Sequence, residues 1–417
     1  MKFKSIFILA ILLSGQLLAY CQYVLVPDSN LRQKLISLGY SSCFSGNLLD
    51  TTCPLLSVTH SLVISNCEVA NLEGLQYFRN LDSLNCSQNK IVQLSPLPNS
   101  LTYLDCSSNY YYLNSIPQLP GNLQEFICGY NYSIHVLPPL PGSLTFLDCG
   151  YDSLVSLPAL PASLTSLYCG ESFLTTLPDL PVTLQHLTCP NNQLSALPVL
   201  PNSLVSLTCD YNRLAALPLL GDSMRVLYCR NNLLTVLPSL PRQLLYMDAS
   251  FNSFSDLPAL PDSIRMLNIA HCENLHCLPW LPNRLQNLYL WGTSVACLPN
   301  QPNMQPFLCN CDFDVPLCSD SNPNNCPLLS AIEFVNREAD MYVTVFPNPT
   351  SAAIQIHTKE TLNAHFQLFN AFGTLVKEIL ISDYDNKLGC ENLPAGLYSW
   401  QLEASSKILQ RGKLVME

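Results

Sequence analysis

The sequence predicts a stacked solenoid built around one long parallel β-sheet, with a small helical cap before it and a β-sandwich after it. A motif of about 20 residues, Leu-Pro-x-Leu-Pro-x-x-Leu-x-x-Leu-x-Cys, occupies residues 157–169, 177–189 and 197–209 of the 417-residue chain. Self-similarity at this period indicates units that stack and bury a common core. Within each unit the segment x-Leu-x-Cys-x alternates apolar and polar residues, as half-buried strands do.

Residues 1–21 have the composition of a secretory signal peptide, with two lysines before an apolar stretch and small residues at its end. We expect cleavage after Cys21, with cleavage after Ala19 as the second choice. Lipidation of Cys21 is a weaker alternative, because Tyr20 is bulky where a lipidation motif has a small residue. A signal peptide implies Sec export, and no transmembrane segment is expected in the rest of the sequence.

Residues 22–58 are predicted to form the N-terminal cap, because a solenoid exposes its core at both ends and requires atypical end units. One short helix is expected here, with Asp28 or Ser29 as its N-cap and Gly39 at its end. Two cysteines flank the loop that follows and would staple this cap. These candidate disulfide partners are Cys43 and Cys53.

Residues 59–315 are predicted to contain about 13 repeat units. Two prolines three residues apart in the tail of each unit exclude a helix there and favour extended, polyproline II backbone on the convex side. The strands of successive units would then lie side by side in a concave sheet. Clear units begin at Leu81, Leu101, Leu123, Leu144, Leu164, Leu184, Leu204, Met224, Leu244, Ile264 and Leu285, with degenerate units near Thr59 and Met304.

Two further positions recur in every unit. Eight units place a cysteine after the strand, and later units place alanine, isoleucine or leucine there, so the position is predicted to be a buried apolar slot in which cysteine acts as a small hydrophobic residue. A metal-binding column of thiols is the weaker alternative. An asparagine three residues later is expected to satisfy backbone groups where the chain turns inward. The cysteines are Cys86, Cys106, Cys128, Cys149, Cys169, Cys189, Cys209 and Cys229; Ala249, Ile269 and Leu290 replace them, and Cys309 resumes the column.

Residues 316–341 are predicted to hold a cysteine-containing cap and a linker. A disulfide-stapled cap is the simpler interpretation of the cysteine cluster at this end, and a zinc site is the alternative, although the spacings do not match paired C-x-x-C motifs. Cys272, Cys277 and Cys297 could also pair across adjacent turns, and the sequence leaves the connectivity open. The clustered candidates are Cys309, Cys311, Cys318 and Cys326.

The complete unit, with its leucine, asparagine and Leu-Pro-x-Leu-Pro positions, resembles the short leucine-rich repeats of bacterial proteins, a class found in secreted effectors of enteric pathogens. The resemblance covers residues 59–315 and implies a leucine-rich repeat solenoid with its parallel sheet on the concave side.

Residues 342–417 differ in composition, and about seven short alternating runs separated by turn signals predict a small Ig-like β-sandwich. The motifs VFPNPT, FNAFG, LPAGLY and GKLV follow one another here. In that order they resemble the C-terminal sorting domain of type IX secretion cargo in Bacteroidota. The resemblance implies transport across the outer membrane, then surface attachment or release. It places the family's conserved positions at Pro347, Asn348, Pro349, Gly373, Gly396, Tyr398 and Gly412.

The sequence contains no G-x-S-x-G, H-E-x-x-H, P-loop or G-x-G-x-x-G motif. With a net charge of −11 and only 12% charged residues, the chain is not expected to bind nucleic acid. His271, Cys272, His276 and Cys277 form the one tight cluster of possible metal ligands, and surface or loop positions explain them more simply. We therefore expect no enzymatic activity, no cofactor and no metal.

Outward-facing aromatic residues lie between the buried positions of the predicted strands. An exposed aromatic stripe on a rigid sheet is typical of a binding surface, and cross-strand packing that stabilises the sheet is the alternative. Further aromatic residues lie just beyond the strands, at Tyr130, Tyr151, Tyr211, Phe251 and Trp291. The candidate partner-binding residues of the concave face are Tyr103, Phe146, Tyr168, His186, Tyr228, Tyr246 and Tyr289.

These expectations combine into a monomeric protein that is secreted or attached to the outer cell surface, after Sec export and outer-membrane translocation by the type IX machinery. Its concave sheet would bind a protein or a glycan. A structural or adhesive surface protein without a single specific ligand is the alternative, and an enzyme using the region between His271 and Cys277 is a third.

Overall fold

The computed structural model describes part of the chain, and its residues fall into two compact units that divide between Leu328 and Leu329. The predicted signal peptide and nearly all of the predicted linker lie outside the described residues. Those residues are 22–94, 97–302, 308–310, 315, 317–318, 343–346, 353–358, 364–370, 374–383, 385–390, 393–394, 396–404 and 407–416.

The N-terminal cap contains more structure than the single predicted helix. Helix α1 is present, and Asp28 is its N-cap: the carboxylate accepts the backbone N–H groups of Asn30 and Leu31. The second oxygen of Asp28 accepts the backbone N–H of Ala70 at 2.7 Å, which ties the cap to the first repeat. The elements are β1 (Tyr23–Leu25), α1 (Ser29–Ser37), a 3-10 turn (Tyr40–Cys43), β2 (Phe44–Ser45), β3 (Leu48–Asp50) and α2 (Pro54–Val58), with β1, β3 and β2 in one antiparallel sheet.

A parallel sheet of thirteen strands runs through the repeats, with every strand paired to the next one in sequence. Its strands are three residues long, and the pairing is in register from first to last. They are β4 (Ser61–Val63), β5 (Ser83–Asn85), β6 (Tyr103–Asp105), β7 (Glu125–Ile127), β8 (Phe146–Asp148), β9 (Ser166–Tyr168), β10 (His186–Thr188), β11 (Ser206–Thr208), β12 (Val226–Tyr228), β13 (Tyr246–Asp248), β14 (Met266–Asn268), β15 (Asn287–Tyr289) and β16 (Leu308–Asn310). The structure thus confirms the predicted solenoid.

The core lies behind this sheet. The central residue of each strand from β4 to β15 is buried, and so is the residue two positions later, which is the predicted cysteine slot. All eight cysteines from Cys86 to Cys229 are free thiols with no exposed surface. Burial raises the pKa of Cys189 to about 12, so this sulfur remains a protonated, apolar group. Ala249, Ile269 and Leu290 fill the same slot in later units. Because these residues have no thiol, the slot serves packing and does not require cysteine chemistry.

A ladder of buried asparagine side chains joins each turn to its neighbours. In Asn212 the amide nitrogen Nδ2 donates to the carbonyl oxygens of Cys189, Cys209 and Asp210, at 3.0, 3.1 and 3.1 Å. The Oδ1 atom of the same residue accepts the buried backbone N–H of Leu194 at 3.0 Å. One side chain therefore satisfies four backbone groups that the turn would otherwise leave unpaired. The equivalent set is made by Asn192, Asn232 and Asn252.

The Leu-Pro tails on the other side of each turn form neither helix nor strand between β6 and β15. Their leucines are buried or half-buried, as with Leu197 and Leu200. A serine or threonine at the end of the tail links neighbouring units. The hydroxyl of Ser203, for example, donates to the carbonyls of Val182 and Leu184, both at 2.7 Å. These side-chain hydrogen bonds add to the backbone bonds that join successive units where the tail begins, such as the one from the Arg213 N–H to the Leu194 carbonyl at 2.9 Å.

The C-terminal unit consists of two antiparallel sheets with strand orders β17-β18-β21 and β20-β19-β22-β23. Ile356 of one sheet and Phe366, Trp400 and Leu414 of the other belong to one buried cluster, so the predicted sandwich of about seven strands is present. The strands are β17 (Val343–Phe346), β18 (Ala353–Thr358), β19 (Ala364–Phe369), β20 (Leu375–Ile381), β21 (Asp385–Gly389), β22 (Gly396–Ala404) and β23 (Lys407–Met416).

Three of the predicted motif positions of this unit can be placed. Tyr398 is buried in β22 and donates its hydroxyl to the carbonyl of Pro394 at 2.8 Å. Gly396 begins that strand with a φ of 148°, and Gly412 pairs with Trp400 across the sheet. The positions outside the described residues are Pro347, Asn348, Pro349 and Gly373. Cys390 is buried in the core of this unit.

Two disulfides can be described in full, one between the two candidate cysteines of the N-terminal cap and one whose pairing the sequence left open. Cys43 and Cys53 are bonded across a Cα–Cα distance of 5.4 Å and close the N-terminal cap. Cys318 is bonded not to a residue of its own cluster but to Cys297, with a Cα–Cα distance of 4.9 Å. Cys277 is disulfide-bonded as well. Cys311, Cys326 and the side chain of Cys309 lie outside the described part of the chain.

The fold predicts an unusual pH dependence, because Asp152 replaces asparagine in the ladder. Its Oδ1 atom accepts the backbone N–H of Asn131 at 2.7 Å, and its buried Oδ2 atom has no hydrogen-bond partner. Burial, reinforced by the nearby carboxylate of Asp148, raises the pKa of Asp152 from 3.8 to about 8. The protonated form stabilises the fold fully below pH 3.8, and this contribution is lost as the pH rises through about 8.

The substitution Asp152→Asn should remove that pH dependence, because an amide donates a proton at every pH. At pH 8.5 we expect the melting temperature of this variant to exceed that of the parent by on the order of 5 °C, with a much smaller difference at pH 4. Thermal unfolding followed by circular dichroism measures both. The exposed Asp256→Asn substitution is the matched control. If the melting temperatures of all three proteins depend on pH in the same way, the raised pKa of Asp152 does not affect stability.

Candidate interaction surface

The candidate site is the outer face of the parallel sheet, where the first and third residue of each strand point away from the core. Register places these side chains in two rows. The first row runs Tyr103, Glu125, Phe146, Ser166, His186, Ser206, Val226, Tyr246, Met266 and Asn287, and the second runs Asp105, Ile127, Asp148, Tyr168, Thr188, Thr208, Tyr228, Asp248, Asn268 and Tyr289.

The candidate residues form two aromatic groups on this face, and His186 lies between them. Tyr103, Phe146 and Tyr168 project from β6, β8 and β9, and the rings of Phe146 and Tyr168 contact each other with centroids 5.4 Å apart. Tyr228, Tyr246 and Tyr289 form the second group and project from β12, β13 and β15. With strands about 4.8 Å apart, β9 and β12 are separated by roughly 14 Å. The outer residues of the two strands between them, β10 and β11, are polar.

Carboxylates lie beside both aromatic groups. In the first, burial and the charges of Asp105 and Glu125 raise the pKa of Tyr103. In the second, burial and the charges of Asp248 and Asp210 raise the pKa of Tyr228. The phenol hydroxyls therefore remain protonated donors beside acceptor carboxylates, a combination that can bind hydroxyl groups, amides or cations.

Several of these carboxylates also have a structural role. The two oxygens of Asp105 accept the backbone N–H of Ser107 and the side-chain amide of Asn85, both at 3.0 Å. Asp148 uses one oxygen to accept the backbone N–H of Gly150 at 3.1 Å. Glu125 is exposed. The carboxylates of Glu125 and Asp148 are thus the ones best placed to contact a partner.

A rim of side chains borders the sheet at the second residue after each cysteine slot, where the backbone is left-handed. The residues with positive φ at this position include Tyr130, Tyr151, Glu171, Asn191, Tyr211, Asn231, Phe251 and His271. This conformation costs about 1–2 kcal/mol for a residue with a Cβ atom. Asparagine tolerates it best, and its occurrence at two rim positions was the sequence signal that could have revealed the turn.

The aromatic rings of the rim stack on one another. Tyr130 and Tyr151 are nearly parallel at 4.2 Å, and His271 contacts both Phe251 at 4.1 Å and Trp291 at 4.0 Å. Because ring faces are covered by neighbouring rings, lateral packing explains the rim aromatics well. The aromatic side chains of the sheet face remain the better candidates for contact with a partner.

The possible metal cluster is separated by the fold into different environments. His271 lies between two aromatic rings of the rim, Cys272 is a buried free thiol at the ladder position, and Cys277 is disulfide-bonded. Across the described residues, no group of three or more histidine, cysteine or acidic side chains has the geometry to hold a metal ion.

One family of known proteins matches part of the sequence. Residues 344–417 match the secretion system C-terminal sorting domain. No curated protein sequence is significantly similar to the chain. Of the helices that the structure describes, none has the length and apolar character needed to cross a bilayer.

Solved structures resemble the repeats. YopM from Yersinia enterocolitica has a TM-score of 0.50 and 32% identity, and the alignment spans 58% of each chain. YopM from Yersinia pestis, described as a leucine-rich effector protein, has a TM-score of 0.51 and 32% identity over 58% of this chain and 75% of that one. The functional domain of InlJ from Listeria monocytogenes, which includes a cysteine ladder, has a TM-score of 0.52 and 19% identity over 94% and 97%.

Proposed function

Because the chain is a leucine-rich repeat protein with a C-terminal sorting domain of the type IX secretion system, we propose that it binds a macromolecular partner through the concave face of its sheet. The sorting domain implies export to the outer cell surface or the medium. The partner would be a protein or a glycan of that environment.

One observation carries the proposal: six aromatic side chains project from the outer face of the sheet while the core lies behind it. Tyr246 is 37% exposed, and the other candidates are partly accessible. Tyrosine and phenylalanine give large contact areas at small entropic cost, so they dominate the binding energy of many interfaces. Short strands bonded on both sides, with the asparagine ladder behind them, hold these rings in fixed positions.

The alternative is that the rings stabilise the sheet by contacts across strands. The contact between Phe146 and Tyr168 supports this for one pair. A structural or adhesive role without a specific ligand would then follow. The repeat fold itself is typical of binding scaffolds rather than enzymes, and we infer that the chain acts by binding.

Binding through the sheet face predicts that Tyr168→Ala combined with Tyr228→Ala removes most of the affinity for a partner. Each ring should contribute about 1–2 kcal/mol, so the combined loss is at least tenfold. Protein and glycan arrays probed with the parent chain identify the partner, and the variant is then measured against it. Phe173→Ala with Leu233→Ala, two exposed apolar side chains outside the strands, is the control. If the parent, the tyrosine variant and the control bind the partner with equal affinity, the partner does not bind through the sheet face.

The sorting domain predicts that deletion of residues 342–417 leaves the repeats in the periplasm. Cell fractionation and surface labelling of the parent and truncated chains measure this directly. The repeats should remain folded, because the described residues form a separate compact unit. Delivery of the truncated chain to the surface at the parent level would contradict the role of this domain.

A further inference from the structure

Charge is distributed unevenly along the repeats. Between residues 91 and 212 the sequence contains no lysine and no arginine. Seven acidic residues lie in the same stretch: Asp105, Glu125, Asp148, Asp152, Glu171, Asp179 and Asp210. Residues 213–302, in contrast, contain six arginines, Arg213, Arg225, Arg230, Arg242, Arg265 and Arg284, and five acidic residues, Asp222, Asp248, Asp256, Asp262 and Glu273. Strands β6 to β11 therefore lie in a stretch that has acidic side chains and contains neither lysine nor arginine.

The first aromatic group lies in this stretch without lysine or arginine, and its rings alternate with carboxylates. Glu125 is paired in register with Tyr103 on one side and with Phe146 on the other. In the second row Asp148 is the direct neighbour of Tyr168. Four strands, from β6 to β9, thus present three rings and two available carboxylates within roughly 15 Å. We call these five residues the acidic aromatic patch.

The contacts of Arg230, beyond the C-terminal end of this stretch, show how the scaffold holds a cation. The guanidinium of Arg230 lies over the ring of Tyr211 at 5.4 Å and over that of Phe251 at 4.9 Å. Its charge also stabilises the ionised form of the Asp210 carboxyl, although burial, the larger effect, raises that pKa to about 6. Aromatic rings and a carboxylate around one cation are therefore a combination that the protein already uses internally.

We propose that the partner presents lysine or arginine side chains to the acidic aromatic patch, so that the ligand is a basic segment of a protein. This rests on the proposed binding function and specifies its partner. A cation inserted between Tyr103, Glu125 and Phe146 would gain both ring contacts and an ion pair. Anionic ligands are repelled by the same carboxylates, and an uncharged glycan can donate hydrogen bonds to them but forms no ion pair.

The state of Asp148 supports this choice. Burial raises the pKa of this carboxyl, and Asp105, two strands away, adds to the effect. A carboxylate that is partly buried without a neighbouring cation destabilises the fold, so stability does not explain its presence. An arriving ammonium or guanidinium group supplies the missing charge, and this gain appears only in the complex.

The test uses the full chain with fluorescent octalysine and octaarginine peptides, and octaglutamate as the anionic control. Anisotropy titrations at low and high salt should show binding of both basic peptides that weakens with salt, and no binding of octaglutamate. Glu125→Gln with Asp148→Asn should weaken binding roughly tenfold, since it removes two charge contacts. Asp256→Asn with Asp262→Asn, exposed acidic residues outside the strands, changes the net charge equally and should leave the affinity within about twofold of the parent's.

A second pair of variants separates the rings from the charges. Tyr103→Phe keeps the ring and should retain binding, and Tyr103→Ala should weaken it severalfold. The proposal is overturned if the basic peptides do not bind at low salt, or if the control variant loses as much affinity as Glu125→Gln with Asp148→Asn. If either result occurs while Tyr168→Ala with Tyr228→Ala still abolishes capture of an array ligand, the sheet face binds a different class of partner and only the basic-segment inference fails.

Discussion

The hydrogen bonds of the buried asparagine side chains are the constraint on which the repeats depend. A unit of about 20 residues must reverse direction behind a three-residue strand, and the reversal leaves carbonyl and N–H groups inside an apolar core. Asn212 satisfies four of them, two in its own unit and two in the unit before. An unmade buried hydrogen bond costs about 1–3 kcal/mol, so each rung without its amide would lose several such increments.

Because the amides join neighbouring units, they hold the strands in register even though each strand is only three residues long and forms few backbone hydrogen bonds. The cysteine slots lie beside the ladder and are filled by buried side chains, from alanine and cysteine to isoleucine and leucine. The recurring leucine, cysteine and asparagine positions of each unit, which we call the scaffold positions, thus stabilise the fold. Variation is left to the outer strand positions and the rim, and arginine is absent between residues 91 and 212 but occurs six times in residues 213–302. Under the proposed function, the outer strand residues rather than the scaffold positions would contact the partner.

Sequence periodicity was sufficient to predict the solenoid, because the leucine, cysteine and asparagine positions each occupy a local environment that recurs in successive units. It was also sufficient for the sandwich, where alternation and turn residues mark the strands. It could not reveal that Cys297 bonds Cys318, since a pairing depends on which turns lie close in space. It missed the sheet and second helix of the N-terminal cap, which occur once and have no repeat to identify them. The aromatic candidates were identified as a set, but their division into two groups and the carboxylates between them emerged only from the strand register.

The most direct test of the asparagine ladder is the free energy of unfolding in urea for Asn212→Ala compared with Asn202→Ala. Asn212 is buried in the ladder, and Asn202 is exposed in the tail of the unit before. We expect Asn212→Ala to reduce the free energy of unfolding by about 3 kcal/mol or more, and Asn202→Ala to change it by no more than about 0.5 kcal/mol. Similar small losses for both variants would contradict the view that these amides hold the repeats together.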